Sequence, residues 1–294
     1  MFKSLLIILL LSISCSDFAQ TNYKGFIDKY PIELVTYIYS DGDARAIYAY
    51  QKINDPIVIN GRKNKDTLVL FEKDKQGKNT ATLTFLNFNE KKNTLTGTWK
   101  NLQTKQELSI KLDKEFELEY GDSIAWEDRE IIQEVSLKNF YFKLVVSKTA
   151  GNFYPVVSGI KILQKHTDSL IQLIKSDCQL SGLSSIEIDD YNFDGVTDFS
   201  VFETSYAGPN TSRKYFLYNP KTKIFFDSNF KGVSLEFDQK AKRISEHNQC
   251  CAGRIHTTAK YKVLNNKMVL TEQHCYVWSE KKQDLVERKM KDCQ

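Results

Sequence analysis

Residues 186–203, with the sequence IEIDDYNFDGVTDFSVFE, combine several oxygen-bearing side chains with a glycine in one short segment. Carboxylates at this density repel one another, so a bound cation would stabilise them. Calcium is held by oxygen ligands at alternating positions of a tight loop, and a glycine permits the sharp turn of such a loop. The predicted calcium ligands are the side chains of Asp190, Asn192, Asp194 and Asp198 and the backbone carbonyl of Val196.

The spacing matches the first part of the EF-hand calcium loop. Val201 stands where that loop carries its final glutamate, and the flanking segments alternate like strands, so the segment is not an EF-hand. Waters, Asp189 or a carboxylate from another loop would complete the ligand shell. Magnesium fits less well because it demands stricter geometry. The competing interpretation is a polar turn closed by Asx hydrogen bonds, without an ion.

A loop rich in Gly, Pro and Ser follows at residues 203–213, and its only aromatic residue is Tyr206. Ser205 precedes this tyrosine and Gly208 follows it closely. A tyrosine on a polar loop suits a protruding recognition element, and we expect the ion loop beside it to hold it rigid. The alternative is that the Tyr206 ring folds back onto the sheet.

The cysteines lie mainly in the second half of the chain, at Cys178, Cys250, Cys251, Cys275 and Cys293, with Cys15 near the start. In an exported protein these later cysteines are predicted to form disulfides. Adjacent cysteines rarely bond to each other, so Cys250 and Cys251 are each expected to pair with a distant partner, and the odd count leaves one thiol free. A zinc site built from Cys250, Cys251, His256 and Cys275 is the alternative, although it lacks CxxC spacing.

The first residues, MFKSLLIILLLSISC, have the features of a secretory signal peptide, which we place at residues 1–19. The apolar run at 5–13 is too short to span a bilayer. Cleavage would fall near residues 14–19, or Cys15 would be lipidated, since LSISC loosely matches a lipoprotein box. We therefore expect an exported protein, either free in the periplasm or anchored in the outer membrane as a lipoprotein.

Composition excludes several classes of function. The chain has 294 residues and a net charge of +4, with no basic stripe and no phosphate loop, so nucleic-acid binding is not expected. Contact with a membrane is expected only through a lipid anchor. The histidines lack HExxH spacing, and no GxSxG elbow occurs. We therefore predict that the protein is not an enzyme.

The elements that position these residues are predicted to be strands throughout. Residues 23–115 alternate with a period of two between turns such as Asp41-Gly42-Asp43, which predicts a β-meander or barrel-like module. After a charged boundary, residues 125–294 are expected to form a β-sandwich or propeller-like domain. The spacing of Leu170, Leu173 and Ile174 allows one short helix there. The predicted fold class is all-β.

Residues 130–280 resemble the calcium-binding periplasmic immunity proteins that protect bacteria from peptidoglycan hydrolases injected by type IV secretion. The resemblance is carried by Ile171-Gln172, the DxNFDGxxD loop with Phe193, the Gly-rich loop, the KYFLYNPKTKIFF segment, and the paired Cys250-Cys251 with the closing strands. It implies a catalytically inert β-fold like that of the invertebrate-type lysozyme inhibitors. It also implies that a tyrosine-bearing loop enters the hydrolase cleft, and Tyr206 is the residue in that position. The Ser-Gly-x-Tyr motif of the inhibitors is replaced here by Ser205-Tyr206-Ala207-Gly208.

Two functions follow from these observations. The first is an envelope protein that binds and inhibits a peptidoglycan hydrolase, with calcium as a structural ion. The second is a structural or glycan-binding envelope protein without inhibitory activity, because exposed aromatic residues of the first module would stack on sugars.

Overall fold

The computed structural model describes residues 19–293, and these residues form an all-β protein, as predicted. The only helical pieces among them are two 3₁₀ turns, Cys251–Gly253 and Met290–Cys293. No helix among the described residues is long and apolar enough to cross a membrane. Cys15 and nearly all of the predicted signal peptide lie outside the described residues.

Eight antiparallel strands come first and close into a barrel in chain order. They are β1 (Ala19–Ile27), β2 (Tyr30–Ile38), β3 (Asp43–Tyr50), β4 (Ile57–Asn64), β5 (Thr67–Lys73), β6 (Asn79–Leu86), β7 (Thr94–Asn101) and β8 (Glu107–Leu118). The barrel closes because β1 pairs with both β2 and β8. Alternate residues point inward, and Leu34, Tyr48 and Phe85 are among those that fill the interior. A Cβ at Gly61 would lie 1.8 Å from the carbonyl oxygen of Val69, so only glycine allows β4 to approach β5 here.

Three antiparallel sheets follow, and each is a meander of consecutive strands. The first sheet contains β9 (Trp126–Ser136), β10 (Phe140–Lys148), β11 (Val156–Gln164) and β12 (Leu170–Gln179). The second contains β13 (Ile186–Asp189), β14 (Asp198–Ser205), β15 (Thr211–Asn219) and β16 (Ile224–Asp227). The third contains β17 (Leu235–Asp238), β18 (Arg243–Cys250), β19 (Ile255–Leu264), β20 (Lys267–Ser279) and β21 (Asp284–Arg288).

The segment that the sequence allowed as a short helix is strand β12. Ile174 pairs with Ile160 of β11, and Leu173 pairs with Lys161. Spacing of i, i+3 and i+4 over so few apolar residues fits a strand as well as a helix, so pairing with β11 decides the outcome. As a consequence, Leu170 and Leu173 remain about half exposed, at 53% and 50%.

Two further cores bind the sheets together. One joins the outer face of the barrel, at Val35 and Ile47, to Phe142 of the first sheet and Phe199 of the second. The other lies between the second and third sheets and includes Tyr215 and Ile244 of those sheets. The sheets therefore stack in chain order, and the barrel is packed against the first of them.

Polar contacts reinforce the junction between the barrel and the first sheet. Lys143 of β10 forms an ion pair of 2.5 Å with Glu33 of β2, and Glu33 also accepts a hydrogen bond of 3.0 Å from the Asn22 amide. Arg45 of β3 pairs with Glu134 of β9. The partners of each ion pair belong to the two different units, so these pairs link the barrel to the first sheet.

Candidate functional site

Residues 190–198, which we call the acidic loop, connect β13 to β14. Hydrogen bonds from backbone N–H groups to the loop's own carboxylates close it. Asp190 accepts hydrogen bonds from the backbone N–H groups of Asp194 at 3.0 Å and Gly195 at 2.7 Å. Asp194 in turn accepts the N–H of Val196 at 2.8 Å. Gly195 adopts φ of 87°, a conformation that glycine adopts readily. The tight turn that the sequence predicts around Gly195 is therefore present.

Asp198 lies at the end of this loop and is fully buried. Its two carboxylate oxygens accept the N–H groups of Tyr191 at 3.0 Å and Tyr218 at 2.8 Å, which ties the loop to the neighbouring strand β15. Burial raises the pKa of Asp198 to about 7, and the negative charges of Asp194 and Asp190 act in the same direction, against its two backbone hydrogen bonds. Positive charge near this loop would favour the ionised form of Asp198.

The loop is also held against the third sheet. The Asn192 amide nitrogen lies 2.8 Å from an oxygen of Asp194 and 2.9 Å from the side-chain oxygen of Asn266 in the β19–β20 turn. The Gln239 side chain donates to the carbonyl of Asp190 at 2.8 Å. The acidic loop is therefore a fixed part of the interface between the second and third sheets.

The donor chemistry of the loop fits a hard cation, since carboxylate, amide and carbonyl oxygens are all present. The carboxylates are not gathered into a cluster, however. Within residues 19–293, no group of three or more His, Cys, Asp or Glu side chains is arranged to hold a metal ion. Ligation by Asn192 would require its amide oxygen, rather than its nitrogen, to face the other ligands. Calcium therefore remains a prediction.

Tyr206 lies in the short turn between β14 and β15. Its backbone N–H donates to the carbonyl of Asn210 at 2.9 Å, and Gly208 occupies the turn with φ of 74°. The ring is 49% exposed, and its hydroxyl lies 3.3 Å from the hydroxyl of Ser212. The ring thus lies partly along the stem of the hairpin while about half of it faces solvent. We call residues 205–210 the Tyr206 turn.

The Tyr206 turn is braced from two sides. The buried Asn210 amide donates to the carbonyl of Gln249 at 2.7 Å and to the side chain of Asn248 at 3.0 Å, and it accepts the N–H of Gln249 at 3.1 Å. Ser205 donates its N–H to the Gln179 side chain at 3.3 Å. The turn is therefore held in one conformation by strands β12 and β18.

The acidic loop does not brace the Tyr206 turn, contrary to the sequence prediction. The loop precedes β14 and the turn follows it, so the two lie at opposite ends of a strand of eight residues. At ~3.3 Å per residue this separates them by roughly 25 Å. The acidic loop and the Tyr206 turn are close in sequence but far apart in space, because the strand β14 between them is extended.

The structure confirms one part of the cysteine predictions and corrects the rest. Cys275 and Cys293 form a disulfide, as was expected of them, and this excludes the zinc site that would have used Cys275. Cys178 is a free thiol buried in the core beside the first and second sheets, where it was expected to form a disulfide. Cys250 and Cys251 are exposed and free, and their sulfur atoms lie 2.8 Å apart rather than beside distant partners. Both lie at the tip of the hairpin formed by β18 and β19, where Cys250 pairs with Ile255.

A cleft of about 1450 Å³ lies where one end of the barrel meets the first two sheets. It is lined by the barrel turns at 37–42, 63–65 and 89–91, by residues 117–124, and by loops at 153–155, 179–182 and 202–205. The sequence does not predict this cleft because the segments that line it are far apart in the chain. The one available signal was the adjacent pair Phe153-Tyr154 in a turn, where large aromatic residues are unusual.

No family model matches this chain, and no curated protein matches it. A solved structure described as that of a Xanthomonas type IV secretion system related protein aligns over 92% of this chain and 99% of that chain. Its sequence identity is 12% and its TM-score is 0.27. A similarity this low establishes neither a shared fold nor a shared function.

Proposed function

We infer that this chain is an exported binding protein of the bacterial envelope that inhibits a peptidoglycan hydrolase through the Tyr206 turn. The observation that carries the inference is the half-exposed Tyr206 on a turn whose ends are held by hydrogen bonds of Ser205 and of the buried Asn210. A recognition element that is already ordered loses little conformational entropy when it binds. The resemblance of residues 130–280 to hydrolase immunity proteins supplies the class of partner.

The shape of the turn suits insertion into a cleft. Residues Ser205, Ala207, Gly208 and Pro209 around the tyrosine are all exposed and are small or compact. A large amphipathic ring flanked by such residues can enter a narrow groove, bury its apolar body and keep a hydroxyl for hydrogen bonding. The protein would act by occupying the hydrolase cleft, without chemistry of its own.

Calcium would have a structural role in this proposal. The ion would be held by oxygens of Asp190, Asn192, Asp194 and Asp198 and by the carbonyl of Val196, and it would offset the repulsion among the carboxylates. Because the loop contacts Asn266 and Gln239, the ion would stabilise the interface between the second and third sheets. Its effect would reach the Tyr206 turn through β14, which begins at Asp198, and through β18, which belongs to the third sheet and contacts Asn210.

The proposal is tested by a pull-down. Protein from residue 20 onward is used as bait for envelope and secreted proteins, with calcium and with EDTA, and retained proteins are identified by mass spectrometry. We expect a peptidoglycan hydrolase among them. Retention of other envelope components alone, or clearing of a peptidoglycan zymogram by the purified chain itself, would overturn the proposal.

A further inference from the structure

The cleft between the barrel and the first two sheets is lined by two groups of aromatic rings. Tyr39 and Tyr37 come from the β2–β3 hairpin, with ring centres 4.8 Å apart. Tyr120 lies 6.5 Å from Tyr154, and Tyr154 lies 4.9 Å from Phe153. We call these five residues the aromatic strip. It runs from the barrel across to the β10–β11 loop, so both units contribute to one surface.

The outer members of the strip are exposed to solvent. Tyr154 is 70% exposed, and Phe153 and Tyr39 are also exposed. Burial raises the pKa of Tyr120 to about 12, and the neighbouring Tyr37 and Tyr154 add to the effect, so this phenol stays neutral at physiological pH. Exposed rings of this kind are costly to leave in water and are common at binding sites.

A buried lysine holds the two segments that carry the strip on the sheet side. Lys148 is 1% exposed, and its ammonium donates to the backbone carbonyls of Gly121, Ile124 at 2.7 Å and Asn152 at 2.6 Å. The N–H of Gly151 also donates to the carbonyl of Asp122 at 2.8 Å. The segment around Tyr120 and the loop of Phe153 and Tyr154 are therefore joined by a fully buried cation, which keeps the exposed rings in place before any ligand arrives.

The polar residues that line the cleft indicate the chemical class of ligand that it can bind. Four carboxylates, Asp41, Glu90, Glu117 and Glu119, face three lysines, Lys63, Lys65 and Lys91. Opposite charges are mixed, and Lys63 and Glu90 already pair at 2.6 Å, so the cleft has no field that selects a strongly charged polymer. Amide and hydroxyl groups of Asn89, Gln179, Ser181 and Ser205 complete the lining. Such a lining suits a ligand rich in hydroxyl and amide groups.

We propose that this cleft binds a glycan chain, whose sugar rings stack on the aromatic strip while their hydroxyl and amide groups bond to the mixed polar wall. The faces of sugar rings carry apolar C–H groups that pack on aromatic rings, and their edges carry hydroxyls. The cleft volume of about 1450 Å³ exceeds the ~300–1,000 Å³ of ordinary small-ligand sites, so it accommodates several linked sugars. The cleft lies next to the Tyr206 turn and shares Ser205 with it, but its aromatic strip and its proposed glycan ligand differ from the proposed contact between Tyr206 and a hydrolase.

The test measures binding of chitohexaose and cellohexaose by calorimetry and binding of peptidoglycan sacculi by sedimentation. The two oligosaccharides separate recognition of N-acetyl groups from recognition of hydroxyls, and the sacculi test the native polymer. We expect at least one of the three to bind. Tyr154→Ala is expected to weaken that binding ~10-fold or more, which corresponds to ~1.4 kcal/mol.

The control is Tyr30→Ala, because Tyr30 is also exposed, at 47% against 70% for Tyr154, but lies outside the cleft. Equal binding by the two variants would overturn the proposal, and so would failure of all three glycans to bind the unaltered protein. Loss of a protein partner by Tyr154→Ala, with no glycan binding, would instead show that the cleft is a protein-docking surface. Thermal unfolding of both variants confirms that each is folded.

Discussion

Tyr206 differs from the other exposed tyrosines in its surroundings. Tyr39 and Tyr154 line a cleft beside other rings, and Tyr30 contacts Tyr50 with ring centres 6.2 Å apart. Tyr206 has small exposed neighbours and a hydroxyl beside Ser212. At the scale of single residues, this is the side chain best placed to enter a partner's cleft.

Asp194→Ala tests the calcium prediction. Calcium is expected to raise the melting temperature of the unaltered protein and to leave that of the variant unchanged, because the variant lacks a central ligand. The matched control is Asp227→Ala. Asp227 accepts a backbone N–H two residues later at 2.7 Å, as Asp194 does at 2.8 Å, but lies outside the acidic loop. Equal calcium responses of the Asp194 variant and the unaltered protein would place the ion elsewhere.

Alkylation distinguishes the free cysteines. Iodoacetamide is expected to label Cys250 and Cys251 in the folded, mildly reduced protein, because both are exposed. Cys178 is expected to react only in denaturant, since it is buried and burial raises the pKa of its thiol. Peptide mass spectrometry reads each site separately. Labelling of Cys178 as fast as Cys250 in the folded state would contradict its placement in the core.

At the scale of elements, the β14–β15 hairpin separates the acidic loop from the Tyr206 turn and connects the turn to the third sheet. Asn210 is the residue that makes this connection, through three hydrogen bonds to Asn248 and Gln249. The rigidity of the turn is therefore a property of two sheets rather than of the loop sequence.

Asn210→Ala is predicted to loosen the turn and weaken binding of the hydrolase. The lost buried hydrogen bonds should lower the free energy of unfolding by about 1–3 kcal/mol. Asn219→Ala is the control, because Asn219 caps an exposed turn at the other end of β15 by accepting the N–H of Lys221 at 3.0 Å. Hydrolase affinity and urea unfolding are measured for both variants. Equal hydrolase affinity of the two would show that the turn needs no bracing from β18.

The alternation of apolar and polar residues along the sequence predicted most of the strands. Ile32, Leu34 and Ile38 point into the barrel as their period of two indicates, and the acidic segment is the loop between two strands. The sequence did not predict that Leu173 and Ile174 belong to a strand, because their environment is set by pairing with β11. The cleft also escaped prediction, and Cys275 and Cys293 were predicted as disulfide formers without being paired, since both features depend on contacts between separate segments.

At the scale of the whole molecule, the barrel and the sheets share one core and several buried polar contacts. Glu33 and Lys143 pair across this junction with side chains only 10% and 14% exposed. The aromatic strip depends on the same junction, because Tyr37 and Tyr39 belong to the barrel while Phe153 and Tyr154 belong to the first sheet.

Glu33→Ala is predicted to lower the free energy of unfolding by about 3–5 kcal/mol, because it leaves Lys143 buried without its partner. Glu115→Ala is the control, since Glu115 pairs with Lys24 at 2.9 Å on the surface, and its loss should cost no more than about 1 kcal/mol. Both values come from urea unfolding. Similar losses in the two variants would mean that the pair between Glu33 and Lys143 contributes little to the junction.

Whether Tyr206 blocks a peptidoglycan hydrolase is measured by inhibition of that enzyme on labelled peptidoglycan. The hydrolase recovered by pull-down is titrated with the unaltered protein, with Tyr206→Ala and with Tyr30→Ala. We predict full inhibition by the unaltered protein and by Tyr30→Ala, and at least ~100-fold weaker inhibition by Tyr206→Ala, which corresponds to ~2.7 kcal/mol. Undiminished inhibition by a folded Tyr206→Ala protein would show that Tyr206 does not block the hydrolase.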